Sequence, residues 1–347
     1  MSNNLIDFRL NRISQLMEEE EVDALLITNP YNVLYLTGLP IEGSVLFIPG
    51  KRFFITTPLF SEEVGDKMPG WEVIIYKDNF EKTLNKLWRE SKGKSLGFED
   101  SYLSYKRYKQ IEKIIEKMVP CSKLLEDLRI VKDKKELSFI RKASEITKET
   151  FEHLKTFLHP GLTEKELSAE AVYFIRKKTE GESFPPIILF GERTSLCHGK
   201  PGERKLKKNE LVLMDIGVKV GGYCSDLTRT IFFGDVGKDW QEIYNIAVKA
   251  QEEGIKNVKP GVISSYIDKV VRGKIEELGY GDAFVHSTGH GVGLEIHEEP
   301  FISPQSKKML KEGMVFTVEP GIYLQGRGGV RVEKMVIVTK EGREILG

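Results

Sequence analysis

Acidic residues stand inside strand-like runs that are otherwise fit for a protein core, and no other feature of the sequence constrains the fold as much. Asp215 lies in the apolar run 211–218, and Asp226 follows eleven residues later in a second strand-like segment. Gly221-Gly222 between them suits a turn, so the two carboxylates are predicted to face each other across a hairpin. Burying a lone carboxylate is costly unless it is paired, protonated or bound to a metal. The fold must therefore bring partners for these charges into the core.

The same pattern recurs twice near the end of the chain. Glu319 follows the run Val315–Val318, and Glu333 interrupts the run Val330–Val338. Taken singly, each acid is also explained by a salt bridge or by a solvent-facing strand position. Together they favour one shared cation site, because four unrelated burial costs would otherwise add up.

A glycine-rich segment, His286–His297, supplies a different kind of ligand. Glycine lets the backbone approach a bound group closely, and this setting favours a ligand role for His290. The charges of the four acids would balance two divalent cations, with a neutral imidazole as the fifth ligand. A set rich in oxygen and without thiolate suits Mn²⁺, Co²⁺, Fe²⁺ or Zn²⁺. Such a pair makes a water acidic enough for hydrolysis, so the sequence predicts a hydrolase.

Composition narrows the other function classes. Lys+Arg and Asp+Glu number 52 each, so the formal net charge of zero gives no support to nucleic-acid or anionic-membrane binding. The three cysteines are far apart, which argues against a disulfide framework and fits a reducing cytoplasm. The first residues are too charged for a signal peptide, and no apolar run approaches the ~18 residues of a membrane span. We therefore expect a cytoplasmic protein.

Hydrophobic periodicity predicts two domains. Strands and helices alternate up to about residue 125, which is typical of a small α/β domain. This region is expected to have a turn at Asn29-Pro30 and a helix over 105–118. A charged helix from Lys134 then begins a mixed α+β region. The predicted domains are residues 1–127 and 128–347, and no internal repeat is evident.

Several motifs resemble those of the pita-bread metallopeptidases, which include Xaa-Pro aminopeptidase (aminopeptidase P), Xaa-Pro dipeptidase (prolidase) and methionine aminopeptidase. The most specific are His290–Pro300 and Thr317–Tyr323, preceded by two aspartates in the family's order. Asn32–Gly38 resembles the creatinase-type N-terminal domain, and Leu128–Lys132 resembles the usual entry to the catalytic domain. The resemblance implies an α/β creatinase-like N-terminal domain followed by an α+β pita-bread catalytic domain.

The resemblance also implies a role for each matching residue. Asp215 would chelate one metal, Asp226 and Glu333 would bridge both, and His290 and Glu319 would hold the other. His198 would contact the scissile region, and His297 would assist the tetrahedral intermediate. Arg331 would orient a metal carboxylate or form an ordinary ion pair, and Tyr323 would contact the site or simply pack. The residues expected to serve catalysis are His198, His297, Glu319 and Arg331. Two divalent ions per subunit are expected, Mn²⁺ or Co²⁺ first, with Fe²⁺ or Zn²⁺ as alternatives.

Two positions depart from the family pattern. Phe301 stands where an arginine binds the carboxylate of a dipeptide substrate, which favours a site that accepts longer peptides. Arg327 or Arg193 is the alternative carboxylate partner. Lys334 also departs from the pattern, but it is expected to point away from the metals.

The leading interpretation is thus an Xaa-Pro metallopeptidase of the aminopeptidase P type acting on short peptides with proline at the second position. The alternative is a strict dipeptidase. A methionine aminopeptidase usually lacks the N-terminal domain. A creatinase-like hydrolase or a non-enzymatic protein on the same fold would have lost metal ligands. The resemblance further implies a homodimer, with no nucleic-acid or membrane partner.

Overall fold

A computed structural model describes residues 3–121 and 123–347. The chain divides into two compact units, Met1–Arg129 and Ile130–Gly347. In the part of the chain described, every helix is too short or too polar to cross a membrane.

The first unit is built on one mixed six-stranded sheet in the order β4-β3-β2-β1-β5-β6. Antiparallel pairing joins β1, β2 and β3, and parallel pairing adds the outer strands. Its strands are β1 Ala24–Ile27, β2 Ser44–Ile48, β3 Lys51–Thr56, β4 Glu72–Ile75, β5 Ser95–Phe98 and β6 Lys117–Pro120. Its helices are α1 Asn3–Glu19, α2 Pro30–Thr37, α3 Ser61–Val64, α4 Phe80–Ser91, α5 Tyr105–Ile111 and α6 Lys123–Ile130, the last ending at the unit boundary. This unit has the α/β character that the sequence predicts.

Two local expectations in this unit are wrong. Asn29 and Pro30 begin a helix instead of forming a free turn: the Asn29 side chain accepts from Tyr31 N, and Pro30 occupies the first helical position, which its fixed φ favours. The helix expected over 105–118 ends at Ile111, and 117–120 pairs with β5 as a strand. Pairing with a distant strand overrides the local helical periodicity there.

The second unit consists of two halves with the same order of elements. The shared elements of each half are two packed helices, three strands of one sheet and a β-hairpin between the second and third of these strands, whereas β7, β14 and β19 have no counterpart in the other half. The first half contains α7 Lys134–Lys155, α8 Glu164–Arg176, β7 Gly181–Glu182, β8 Ile187–Phe190, β9 Glu210–Ile216, β10 Val218–Val220, β11 Tyr223–Cys224 and β12 Leu227–Phe233. The second half contains α9 Lys238–Lys256, α10 Ser264–Glu277, β13 Gly289–Gly291, β14 Glu298–Ile302, β15 Val315–Val318, β16 Gly321–Leu324, β17 Gly328–Arg331, β18 Lys334–Val338 and β19 Arg343–Leu346.

Sheet order and cores confirm the equivalence of the halves. The order is β12-β9-β8 in the first half and β14-β13-β15-β18-β19 in the second, so β8, β9 and β12 correspond to β13, β15 and β18. Each half also has its own cluster of buried apolar side chains. The sequence does not reveal this repeat, because a core requires only apolar character and volume at each position.

The turn between the paired helices is the same in both halves. Gly161 and Gly261 have φ of +94° and +84°, a region that favours glycine. Their amides donate to Leu206 O and Leu310 O, both at 2.9 Å. The first helical residues then differ in kind: Glu164 in α8 and Ser264 in α10.

Candidate metal centre

Four carboxylates converge on one cavity because of where the strands end. In the first half, Asp215 is the penultimate residue of β9 and Asp226 immediately precedes β12. In the second half, Glu319 immediately follows β15 and Glu333 immediately precedes β18. Each half thus supplies two acids at or near the ends of its strands, and all four line the same cavity.

The register corrects one detail of the predicted hairpin. The residue directly opposite Asp215 is Thr228, not Asp226. Asp226 lies two residues before Thr228 and therefore on the same face, diagonal to Asp215. Gly221-Gly222 does form a turn, between β10 and β11.

His290 is oriented as a ligand. Its Nδ1 lies 3.1 Å from Gly291 O, and because a carbonyl only accepts, the ring proton is on Nδ1. Nε2 faces the acids, 3.5 Å from Asp226 Oδ2 and 3.4 Å from Glu319 Oε1. Burial lowers the pKa of His290 to about 3, so the imidazole is neutral with an available lone pair.

Some oxygens of these acids are buried and lack hydrogen-bond donors among the described residues. Among the described residues, no donor lies within hydrogen-bonding distance of the buried atoms Asp215 Oδ1, Asp226 Oδ1 and Glu333 Oε1. Potential ligand atoms of Asp226, His290 and Glu333 lie within 4.8 Å of one another. Buried polar atoms without partners are rare, and hard oxygen donors beside one imidazole suit divalent cations. The residues therefore fit a metal centre.

Unbalanced negative charge appears also in the pKa values. Burial, followed by the charges of neighbouring carboxylates, raises the pKa of Asp226 and of Glu333 well above the usual range. Burial raises the pKa of Glu319 to about 7. Bound cations would offset this repulsion and favour the ionised forms of Asp226, Glu319 and Glu333.

Arg331 and Thr228 position two of the acids by hydrogen bonds. Arg331 is buried and donates through Nη2 to Asp215 Oδ2 at 2.6 Å and through Nε to Thr228 Oγ1 at 3.0 Å. The Thr228 hydroxyl in turn donates to Glu333 Oε2 at 2.6 Å. Sequence analysis anticipates the position of Arg331 but does not identify Thr228, whose only signal is its place beside Asp226.

Tyr323 and His286 complete this network. The Tyr323 hydroxyl accepts from Arg331 Nη1 at 2.8 Å and lies 3.0 Å from His286 Nε2. Tyr323 therefore connects to the site instead of serving only as packing. His286 lines the cavity, and burial lowers its pKa to about 4, so it is neutral. Sequence analysis gives His286 no role, although its glycine-rich segment offers a signal.

The cavity has a volume of about 1030 Å³ and extends from the acids along an apolar wall. His198 and His297 are both exposed on it, and the His297 ring centroid lies 4.2 Å from that of His290. The apolar wall includes Val172, Phe184, Pro185, Pro186, Ile187, Ile296 and Phe301.

The two arginines proposed as partners for a substrate carboxylate are placed elsewhere. Neither Arg193 nor Arg327 is among the lining residues, and Arg193 pairs with the buried Glu164 at 3.0 Å. The lining cations are Arg331, Lys165 and Lys200. Arg331 is already bound to Asp215, and Lys165 pairs with Glu203 at 2.5 Å.

Comparison with known families accounts for most of the chain. Residues 138–340 match metallopeptidase family M24, and residues 9–131 match the Creatinase/Prolidase N-terminal domain. A protein of Staphylococcus epidermidis described as an uncharacterized peptidase is 39% identical over 97% of this chain and 98% of its own length.

Solved structures agree over nearly the full length. An Xaa-Pro dipeptidase from Bacillus anthracis superimposes with a TM-score of 0.95 and 36% identity, covering 98% of this chain and 97% of that one. An X-Pro aminopeptidase from Thermotoga maritima does so with a TM-score of 0.90 and 33% identity, covering 96% and 97%.

Proposed function

The chain belongs to metallopeptidase family M24, and from this premise we propose that it is an Xaa-Pro peptidase of the aminopeptidase P type, releasing the first residue of peptides that carry proline second. Its catalytic domain is assigned to residues 128–347 and its N-terminal domain to 1–127. The observation that carries the proposal is the set of three buried carboxylate oxygens that no donor among the described residues reaches, beside an imidazole whose Nε2 faces the same acids.

Five side chains would hold two divalent cations, Asp215, Asp226, His290, Glu319 and Glu333. Asp226 and Glu333 would bridge the two cations: their ligand atoms cluster with that of His290, and no donor in the described part of the chain reaches Asp226 Oδ1 or Glu333 Oε1. Mn²⁺ or Co²⁺ suits this donor set best, with Fe²⁺ or Zn²⁺ as alternatives.

When bound, such cations supply Lewis-acid polarisation of a carbonyl and acidification of a water. The chain's own groups would position the substrate and handle protons. His198 and His297 can donate hydrogen bonds to a developing oxyanion or leaving nitrogen. Arg331 and Thr228 keep Asp215 and Glu333 in place, so these carboxylates need not reorganise during turnover.

Proline specificity is supported by the wall beside the metal site. Its aromatic, proline and aliphatic side chains offer an apolar surface that suits a pyrrolidine ring. The similarity to an Xaa-Pro dipeptidase and an X-Pro aminopeptidase points to the same substrate class.

Acceptance of peptides longer than dipeptides is supported by cavity size and charge. The cavity lies at the upper end of the ~300–1000 Å³ usual for small-molecule sites. Phe301 is 41% exposed on its wall, in place of a fixed cation. A strict dipeptidase is the second candidate, favoured by the dipeptidase neighbour and by Lys200, a cationic residue among those that line the cavity.

A substrate length series distinguishes these candidates. Xaa-Pro, Xaa-Pro-Xaa and longer peptides should be assayed with the metal-free protein after addition of Mn²⁺ or Co²⁺. The proposal expects tripeptides to be cleaved at least as well as dipeptides, and only with metal. Strong preference for dipeptides would establish the second candidate, and a protein that binds no stoichiometric metal would contradict both.

We also propose a cytoplasmic homodimer. The buried free thiols of Cys121 and Cys224 suit a reducing compartment. Light scattering of the purified protein should give twice the chain mass, and a monomeric mass would refute the dimer.

A further inference from the structure

Glu164 is fully buried at the start of α8, yet it has no part in the metal site. Its Oε1 accepts from Phe190 N at 2.9 Å, and its Oε2 accepts from Gly202 N at 2.8 Å. Arg193 Nε lies 3.1 Å and 3.0 Å from the same two oxygens. One carboxylate therefore joins the two ends of the segment 191–201, here called the His198 loop.

Arg193 extends this arrangement toward His198. Its Nη2 donates to Lys200 O at 2.7 Å, two residues beyond the histidine. On the other side of the histidine, Cys197 O accepts from Arg331 Nη1 at 3.2 Å. The backbone that carries His198 is thus fixed on both sides by guanidinium groups. We call Glu164 and Arg193 the clamp.

The second half of the unit shows that the helical framework does not need the clamp. The residue equivalent to Glu164 is Ser264, whose amide makes the same kind of bond to the opposite segment: Glu164 N donates to Arg204 O at 3.1 Å, and Ser264 N donates to Lys308 O at 2.9 Å. A buried carboxylate is costly, and α10 begins without one. The feature specific to the first half is the His198 loop.

We propose that Glu164 and Arg193 are positioning residues that hold His198 at the cavity for its work on the substrate. The catalytic role of His198 rests on the proposed function. The contacts by which Glu164 and Arg193 hold the His198 loop do not. It makes α8 part of the active-site machinery although Glu164 contacts neither metal nor substrate.

The test compares Glu164→Ser, which installs the residue of the second half, with His198→Ala and the double variant. Glu164→Ser should lower kcat on the order of 10- to 100-fold, as expected for a misplaced group, with KM and bound metal little changed. In the His198→Ala background the same substitution should have almost no further effect, because the residue it positions is gone. Equal losses in both backgrounds would overturn the proposal.

Two further variants keep the test decisive. Arg193→Met leaves the Glu164 bonds to Phe190 and Gly202 in place, and it replaces Glu164→Ser if that variant does not fold. Arg176→Met removes an exposed ion pair with Glu182, 2.6 Å long, at the other end of α8, and should leave kcat unchanged. A folded Arg193→Met with wild-type kcat would contradict the clamp.

Amide hydrogen exchange separates this inference from the proposed function. Glu164→Ser should speed exchange in 191–201 while 292–302 stays protected, whether or not any peptide is cleaved. A wild-type protein without peptidase activity would refute the proposed function alone. Unchanged exchange in 191–201 would refute the clamp alone.

Discussion

The connections that carry His198 and His297 occupy equivalent places in the two halves of the second unit, but different forces hold them. The His198 loop follows β8 and is tied by the side chains of Glu164 and Arg193. The segment with His297 follows β13 and is tied by a strand, since Gly291 pairs with Glu298 and Gly289 with Ile302. Backbone pairing fixes one histidine, and a buried carboxylate fixes the other.

A buried ion pair supplements the strand in the second half. Lys132 Nζ donates to Glu298 Oε1 at 2.7 Å, next to His297 in sequence. Both connections thus use a charge pair with at least one buried partner, but only the first depends on it for the path of the backbone. Two halves with the same framework can therefore hold histidines at equivalent places, His198 and His297, by different local structures.

Two of the proposed metal ligands follow the framework more closely than His198 and His297 do. Asp226 and Glu333 immediately precede equivalent strands, whereas His290 has no counterpart among the proposed ligands of the first half. Comparing matched variants between the halves therefore tests which residues at equivalent places also have equivalent roles.

The largest effect is expected at the two acids that are proposed to bridge the cations. Asp226→Ala and Glu333→Ala should each abolish activity and weaken metal binding, since both cations lose a ligand. The loss of turnover should exceed the ~10²–10³-fold that removal of one positioned donor costs. Metal analysis and kinetics measure both. Near-native turnover in either variant would break the equivalence of the two acids.

Next come the two histidines. His198→Ala and His297→Ala should each lower turnover by about 10²–10³-fold while the metals stay bound. A demetallated His297→Ala protein would show that His297 is a ligand. A much smaller loss of turnover for one variant would mean that the two histidines do not contribute equally to catalysis.

The walls of the cavity provide a third comparison. Phe301→Arg, in the second half, should improve kcat/KM for Xaa-Pro dipeptides by about 10–100-fold, the equivalent of a charge-assisted contact of about 1.5–3 kcal/mol. A C-terminally amidated substrate should not benefit. Phe184→Arg places the cation on the wall of the first half and serves as the matched variant. If only Phe184→Arg improves dipeptide cleavage, the substrate carboxylate lies against the first half.

The smallest effect concerns stability without metal. Because the pKa of Glu319 rises from its usual 4.5 to about 7 on folding, the folded state binds more protons than the unfolded state between these values. The stability of the metal-free protein should therefore fall as pH rises through this window, and added metal should reverse the fall. Thermal unfolding in the presence of a chelator measures it. Glu319→Gln should flatten the profile, and an unchanged slope would assign the excess charge to the other acids.

Local sequence was sufficient for much of the second unit. Helix α7 begins at Lys134 as predicted, and the side chain of Asp133 caps it. The acids inside apolar runs indicate a cation site, because burial of a carboxylate requires compensation wherever the chain folds. The structure brings those acids and His290 into one cavity, while their ligand roles stay a prediction.

Only the tertiary structure decided which side chains meet across the fold. The sequence suggests Arg193 as a partner for the substrate carboxylate, but in the structure Arg193 pairs with the buried Glu164. The two residues are far apart in the chain, and no local sequence signal predicts their pairing. The helix expected through residue 118 gives way to a strand because β5 is there to pair with it. Periodicity and burial cost act along the chain and can be read from it. Strand pairing, register and the equivalence of the halves depend on contacts between distant segments. The sequence encodes these contacts, but its local patterns do not show them.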